Sequence, residues 1–127
     1  MADRVARLVR EGTEAAQGGQ MDEAAIAFRK AVDLDPTDAE AWNSLGVVLV
    51  RAGDAGRGIE CFRRALRVVP GHFEAHRNLA VALDRQGRVA EATRHYRAFL
   101  SQKGAGGSER AQVLARLEEL GARRAGE

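Results

Sequence analysis

The side chains best suited to catalysis or metal binding in this sequence are three histidines and one cysteine: His72, His76, His95 and Cys61. His72 and His76 are four residues apart, a spacing that can place two metal ligands on one face of a helix. No cysteine or third histidine lies nearby in the sequence, so we predict no metal site. Cys61 precedes Phe62 with no general base close by, which favours a small, partly buried hydrophobe over a nucleophile.

A phosphate loop is the other candidate for chemistry, because residues 104–107 read "GAGG". A phosphate-binding loop would need a following G-K-[ST] and a preceding strand, and the sequence has neither. We therefore predict no catalytic residue, no cofactor and no enzymatic activity.

Composition and charge exclude further classes of function. The 20 basic and 18 acidic residues are interspersed without a basic arm, which argues against nucleic-acid binding. No apolar run reaches the roughly 18 residues that a membrane span needs, so we predict no membrane insertion. The charged N-terminus, "MADRVARLVREG", is not a signal peptide, and a single cysteine suits a reducing compartment. We predict a cytoplasmic location, and the arginine-rich, lysine-poor composition is typical of a bacterial protein.

The sequence contains a repeat, and its helices must position any functional side chain. Pro36 and Pro70 are 34 residues apart (70 − 36). Four more columns repeat at this interval: Phe28, Phe62 and Tyr96; Gly19, Gly53 and Gly87; Gly12, Gly46 and Ala80; Ala24, Gly58 and Ala92. The frame that fits them is 5–38, 39–72 and 73–106, and each unit holds two helical patterns around a glycine turn. The second helices of the first two units should end before the prolines, and the N-caps that follow should be Thr37 or Asp38, and then His72.

Gly46 interrupts a helical pattern at a cost of roughly 1 kcal/mol relative to alanine. A glycine at this position is explained if two of the repeated columns face each other and let the helices of a hairpin approach closely. These are the columns of small residues: Gly12, Gly46 and Ala80, and Ala24, Gly58 and Ala92. Trp42, Leu45 and Phe62 would then close over the gap, and burying one large side chain contributes roughly 1.5–3 kcal/mol. A larger residue at position 46 should therefore overpack the hairpin.

These columns resemble the tetratricopeptide repeat family, whose 34-residue pattern is W-x2-L-G-x2-Y, then A-x3-F, then P. The second unit matches it at Trp42, Leu45, Gly46, Phe62, Ala65 and Pro70, and has Leu49 for the tyrosine and Gly58 for the alanine. The resemblance implies an all-α fold, an αα-hairpin solenoid of three repeats wound as a right-handed superhelix. We interpret residues 1–127 as one such domain.

Residues 103–107 should form a flexible break before one more helix, at 108–123. Ser108 is a suitable N-cap, and the helix has an apolar stripe of Val113, Leu114, Leu117 and Leu120. Because a solenoid leaves the apolar face of its last repeat uncovered, we predict that this helix is a cap.

The resemblance also implies a binding surface, since the first helices of such repeats line a concave groove. Mapped onto this sequence, the partner-binding residues are Arg10, Thr13, Asn43, Val47, Arg51, Arg77, Asn78, Val81 and Arg85. The arginines would bind carboxylates, the asparagines a peptide backbone, and the valines would form an apolar floor. A second basic cluster, Arg63, Arg64 and Arg67, should be a solvated outer face.

One subclass of the family can be tested by its residues. Chaperone-binding members clamp a C-terminal carboxylate with lysine, asparagine and arginine side chains. The corresponding positions here hold Val9, Thr13, Ser44, Glu74 and Asn78, none of which matches, so a receptor for Hsp70 or Hsp90 tails is disfavoured.

The function predicted from the sequence is a non-enzymatic adaptor that docks a protein or peptide segment, of acidic character, in the groove. Two alternatives remain open: a homo-oligomeric scaffold, and a chaperone for secretion subunits.

Overall fold

The computed structural model describes residues 2–125, which form seven α-helices and no strand. The helices are α1 (Ala2–Gln17), α2 (Met21–Leu34), α3 (Ala39–Arg51), α4 (Ala55–Val68), α5 (Phe73–Arg85), α6 (Val89–Leu100) and α7 (Gly107–Ala125). Three antiparallel hairpins, α1–α2, α3–α4 and α5–α6, follow the 34-residue frame, and a seventh helix follows them. The predicted all-α helical-repeat solenoid is confirmed. Residues 1, 126 and 127, which the predicted domain includes, lie outside the described part.

The chain divides into two compact units after Pro70. Unit 1, up to Pro70, contains α1 to α4, and unit 2, from Gly71, contains α5 to α7. Unit 1 buries a core that includes Phe28, Val32, Leu45 and Val48. The buried side chains of unit 2 include Leu79, Leu83, Tyr96, Phe99, Val113 and Leu120.

The repeated glycine column ends the first helix of every hairpin. Gly19, Gly53 and Gly87 have φ angles of +80°, +92° and +80°, a left-handed conformation that glycine adopts without a Cβ clash. The next residue in each turn donates its N–H five positions back, over 2.8 Å from Gln20 to Ala15, 2.8 Å from Asp54 to Leu49, and 2.9 Å from Arg88 to Leu83. This pattern is the Schellman motif, which satisfies helix carbonyls that would otherwise lack a donor. The predicted glycine turns are confirmed.

Side-chain caps fix where the following helices begin. The Asp38 carboxylate accepts a hydrogen bond from the Ala41 N–H over 3.0 Å, and Asp54 accepts one from Arg57 over 3.2 Å. The His72 ring caps α5 in the same way, because its Nδ1 accepts the Ala75 N–H over 3.1 Å. Of the N-caps predicted from sequence, Asp38 and His72 are confirmed, whereas Ser108 lies inside the last helix, which begins at Gly107.

Close approach of the two helices at Gly46 is also confirmed. A Cβ built on Gly46 would lie 2.5 Å from Cε1 of Phe62 and 3.0 Å from the carbonyl oxygen of Gly58. A Cβ on Gly58 would in turn lie 2.9 Å from the Gly46 carbonyl oxygen. The ring that fills this space belongs to Phe62, whereas Trp42 stays partly exposed and donates its indole N–H to the Pro36 carbonyl over 2.8 Å.

Candidate peptide-binding surface

The first helix of each hairpin presents one outward stripe, which we call the first-helix stripe. Its positions are spaced by four, three and four residues, the spacing of neighbours on one helical face. The stripes are Ala6, Arg10, Thr13 and Gln17 on α1; Glu40, Ser44, Val47 and Arg51 on α3; and Glu74, Asn78, Val81 and Arg85 on α5. Every one of these residues is exposed or partly exposed. Seven of the nine side chains predicted to bind a partner lie on these stripes: Arg10, Thr13, Val47, Arg51, Asn78, Val81 and Arg85.

Two arginines dominate the stripes of unit 1. Arg10 and Arg51 are exposed, and among the described residues neither guanidinium forms an ion pair with a carboxylate. The neighbouring Val47 is partly exposed, and the Thr13 hydroxyl donates to the Val9 carbonyl over 2.9 Å. The stripes of unit 1 therefore present two cations available to bind an anionic group, close to an apolar side chain.

Asn43 and Arg77 lie one position before the stripe, and the structure places both away from it. Asn43 is only 5% exposed, so its amide is not on the surface that a peptide could contact. The Arg77 side chain is 27% exposed, and its Nη2 lies 3.8 Å from Oε1 of Glu109 on α7. Its Nε is buried and has no hydrogen-bond partner among the described residues. Asn43 is therefore buried, and Arg77 is partly exposed and faces Glu109, while the other seven predicted residues lie on the stripes.

In unit 2, Asp84 is held by α7 and α6. Its carboxylate accepts hydrogen bonds from Nε and Nη2 of Arg116 over 2.7 and 2.8 Å, and from the Tyr96 hydroxyl over 2.8 Å. Burial, and then the neighbouring Asp84 carboxylate, raise the pKa of Tyr96 above its usual range. Hydrogen bonds to Asp84 and then Glu119 raise the pKa of Arg116. The sequence did not indicate this contact, because Asp84 and Arg116 are 32 positions apart and Arg116 lies outside the repeated pattern, on α7.

A second candidate surface is a cavity of about 450 Å³ in unit 1, between α2, α3 and α4. Apolar side chains line its floor: Val32, Leu45, Leu49 and Cys61. Its rim carries Arg29, Arg57, Arg64, Asp33 and Glu60. The Arg64 guanidinium lies over the Trp42 ring, 5.2 Å from its centroid, in cation–π contact. Arg64, which the sequence grouped with a solvated outer face, thus borders a cavity and covers an aromatic ring.

Cys61 lines this cavity and is 6% exposed. Burial in an apolar setting raises the pKa of its thiol to about 11, since the thiolate loses its hydration. At pH 8, the raised pKa leaves a smaller fraction of this thiol as thiolate in the native protein than in the unfolded chain.

We therefore predict that iodoacetamide at pH 8 alkylates Cys61 slowly in the native protein and rapidly in urea, because only the thiolate reacts. Mass spectrometry of timed samples measures both rates. Equal rates in the two conditions would contradict the burial and the raised pKa of this thiol.

The described residues contain no group of three or more histidine, cysteine, aspartate and glutamate side chains placed to hold a metal ion. No helix within residues 2–125 has the length and apolar character of a bilayer span.

Comparison with known proteins places the repeats in a family. The family model of the cilia and flagella-associated protein 70 middle TPR-like domain matches residues 9–121. No curated protein matches the chain.

Several solved structures are similar in fold. One is the first TPR of Spaghetti (RPAP3) bound to the HSP90 peptide SRMEEVD, with a TM-score of 0.85, 16% identity, and coverage of 94% of this chain and 97% of that one. Another is the Arabidopsis OM64 TPR domain, with a TM-score of 0.84, 15% identity, and coverage of 92% and 96%. MamA has a TM-score of 0.68 and 24% identity over 70% of this chain and 52% of its own. At these identities the likeness concerns the fold alone.

Proposed function

We propose that this chain, which belongs to the family of cilia and flagella-associated protein 70 middle TPR-like domains, is a non-enzymatic adaptor that binds a segment of a partner protein on its first-helix stripes. Extended and helical segments are the two forms in which such surfaces capture partners. A cytoplasmic location and a bacterial source remain predictions from composition.

The observation that carries the proposal is the position of two exposed arginines, Arg10 and Arg51, on the first-helix stripes of unit 1. Arg57 and Arg63 have carboxylates within 4.0 Å, at Asp54 and Glu60. Arg10 and Arg51 have no carboxylate partner among the described residues, and both lie on outward stripes. Arginine binds carboxylates through paired N–H donors, so these two side chains favour a partner segment with aspartate, glutamate or a terminal carboxylate.

The similar TPR domain of Spaghetti (RPAP3) is bound to an HSP90 peptide, which supports a peptide as the ligand but not this particular peptide. That protein shares the fold at 16% identity. In this chain, the positions expected to clamp a chaperone tail hold side chains such as Val9, Ser44 and Glu74. A partner segment of a different sequence is therefore proposed.

The test is selection of ligands from a displayed random-peptide library, followed by fluorescence polarisation on the enriched peptides. We expect enrichment of acidic peptides with dissociation constants on the order of micromolar, about −8 kcal/mol. Added salt should weaken binding, because the contacts join partly exposed charges. Replacing Arg10 and Arg51 with alanine together should raise the dissociation constant about tenfold, since exposed ion pairs contribute up to about 1 kcal/mol each.

Two further variants serve as controls. Arg67→Ala with Arg94→Ala removes the same charge from exposed positions on second helices and should leave the affinity unchanged. Arg29→Ala with Arg64→Ala removes the basic rim of the cavity. If the cavity pair weakens binding and the Arg10–Arg51 pair does not, the cavity between α2, α3 and α4 is the binding surface and the proposed site is wrong.

Self-association and a secretion-chaperone role stay predictions, and light scattering checks self-association.

A further inference from the structure

Two histidines from different helices meet in unit 2. Nδ1 of His76 on α5 lies 3.0 Å from Nδ1 of His95 on α6. The two rings are stacked, with centroids 5.3 Å apart and an interplanar angle of 30°. In the neutral pair, one Nδ1–H donates a hydrogen bond to the lone pair of the other Nδ1, so both nitrogens face the same gap. When an ion binds, the donating ring shifts this proton to its own Nε2, which leaves one lone pair on each Nδ1 for the metal.

The hairpin fixes the spacing of the two helices on the turn side of this pair. The α5–α6 turn is closed by Gly87, whose φ of +80° belongs to the Schellman motif described above. Between the rings and this turn, Ala80 and Ala92 are fully buried, and their small side chains let the two helices pack closely. Ligands that are fixed on rigid helices lose little freedom when they bind an ion.

We propose that His76 and His95 form a two-nitrogen chelating site for a divalent transition-metal ion, with Cu²⁺ bound more tightly than Ni²⁺ or Zn²⁺. Imidazole nitrogens bind such ions at about 2.0–2.1 Å. With bonds of that length, two nitrogens 3.0 Å apart subtend an angle of about 90–97° at the metal. This is the angle between neighbouring ligands of a tetragonal ion, the geometry typical of Cu²⁺ and Ni²⁺. A tetrahedral ion would need the nitrogens about 3.3 Å apart.

The pair differs from the one that the sequence suggested. His72 and His76 have the spacing of two ligands on one helix, but Nδ1 of His72 accepts the Ala75 N–H as the cap of α5. The structure instead brings His76 to a histidine 19 positions away. The described residues offer no group of three or more such ligands, so water completes the coordination and we expect an affinity on the order of micromolar.

The test is calorimetric titration of the full-length protein with Ni²⁺, which does not oxidise the free thiol of Cys61. We expect one ion per chain. His95→Gln and His76→Gln should each lower the affinity about 100-fold, because a single imidazole loses the second, effectively intramolecular, bond. His72→Asn is the matched control: asparagine keeps the N-cap acceptor, and binding should stay unchanged.

Two results would overturn the proposal. One is loss of binding in His72→Asn together with retention in His95→Gln, which would place the site on α5 alone. The other comes from the wild-type protein and needs no variant to fold: electron paramagnetic resonance with one equivalent of Cu²⁺ should show two coordinated imidazole nitrogens. A spectrum of a single nitrogen would contradict the site. Circular dichroism of each variant checks that a lost signal reflects lost ligands and not unfolding.

Discussion

Replacing Gly46 with alanine is expected to destabilise the protein by up to about 2 kcal/mol, although alanine is the better helix former. The new Cβ would lie 2.5 Å from the buried Phe62 ring and 3.0 Å from the Gly58 backbone oxygen, and neither can move freely. Overpacking of this kind costs about 1–3 kcal/mol, which exceeds the roughly 1 kcal/mol gained in helix propensity. Gly46→Leu should cost more. Urea unfolding followed by circular dichroism measures the change in the free energy of unfolding.

Gly56 provides the matched control in the same hairpin. It is also helical, but a Cβ there meets no atom within 4 Å, so Gly56→Ala should be neutral or slightly stabilising. A double-mutant cycle with Phe62→Leu identifies the cause. If the penalty of Gly46→Ala is unchanged when the Phe62 ring is removed, the ring is not its source.

Deleting residues 108–127 is expected to destabilise the protein more than Gly46→Ala does. The shortened protein should melt at a clearly lower temperature or aggregate. The deletion removes Val113 and Leu120, which are buried, and each contributes roughly 1.5–3 kcal/mol of burial energy. It also takes Arg116 away from Asp84, whose side chain is 9% exposed. Unchanged solubility and melting would show that α7 is not a cap.

A single substitution isolates the polar part of this contact. Arg116→Ala should destabilise the protein by about 1–3 kcal/mol, because a largely buried carboxylate loses two charged hydrogen bonds. Glu119 also bonds Arg116, over 2.8 Å, but its side chain is 61% exposed. Glu119→Ala should therefore cost less than about 1 kcal/mol. Equal losses in the two variants would contradict the role assigned to Asp84.

The sequence predicted the fold well because its repeat fixes several independent features at once. One register of glycines, aromatics and prolines gave the three hairpins, the turns at Gly19, Gly53 and Gly87, and the close approach at Gly46. Each of these features depends on residues within one repeat. Local backbone conformation and helical periodicity are sufficient to predict them.

The candidate sites could be predicted only in part, because they depend on which helix faces meet. Helical spacing placed Arg10 and Arg51 outward, but it could not show that Asn43 is buried. The pairs His76–His95 and Asp84–Arg116 join different helices, and no local pattern marks them. Arg64 is exposed, as expected for an outer face, but its contact with Trp42 forms only when α3 and α4 are packed, so the sequence could not show it.

The glycine turns also bear on how quickly the chain folds. Each joins two helices through only three residues, 18–20, 52–54 and 86–88, so the apolar contacts of a hairpin form between positions close in sequence. Chains with such low contact order fold in about microseconds to milliseconds. Repeats that contact their neighbours can nucleate in any hairpin, and order then spreads along the chain. Apolar helix faces are thus exposed only briefly after synthesis, which limits the time in which two nascent chains can aggregate.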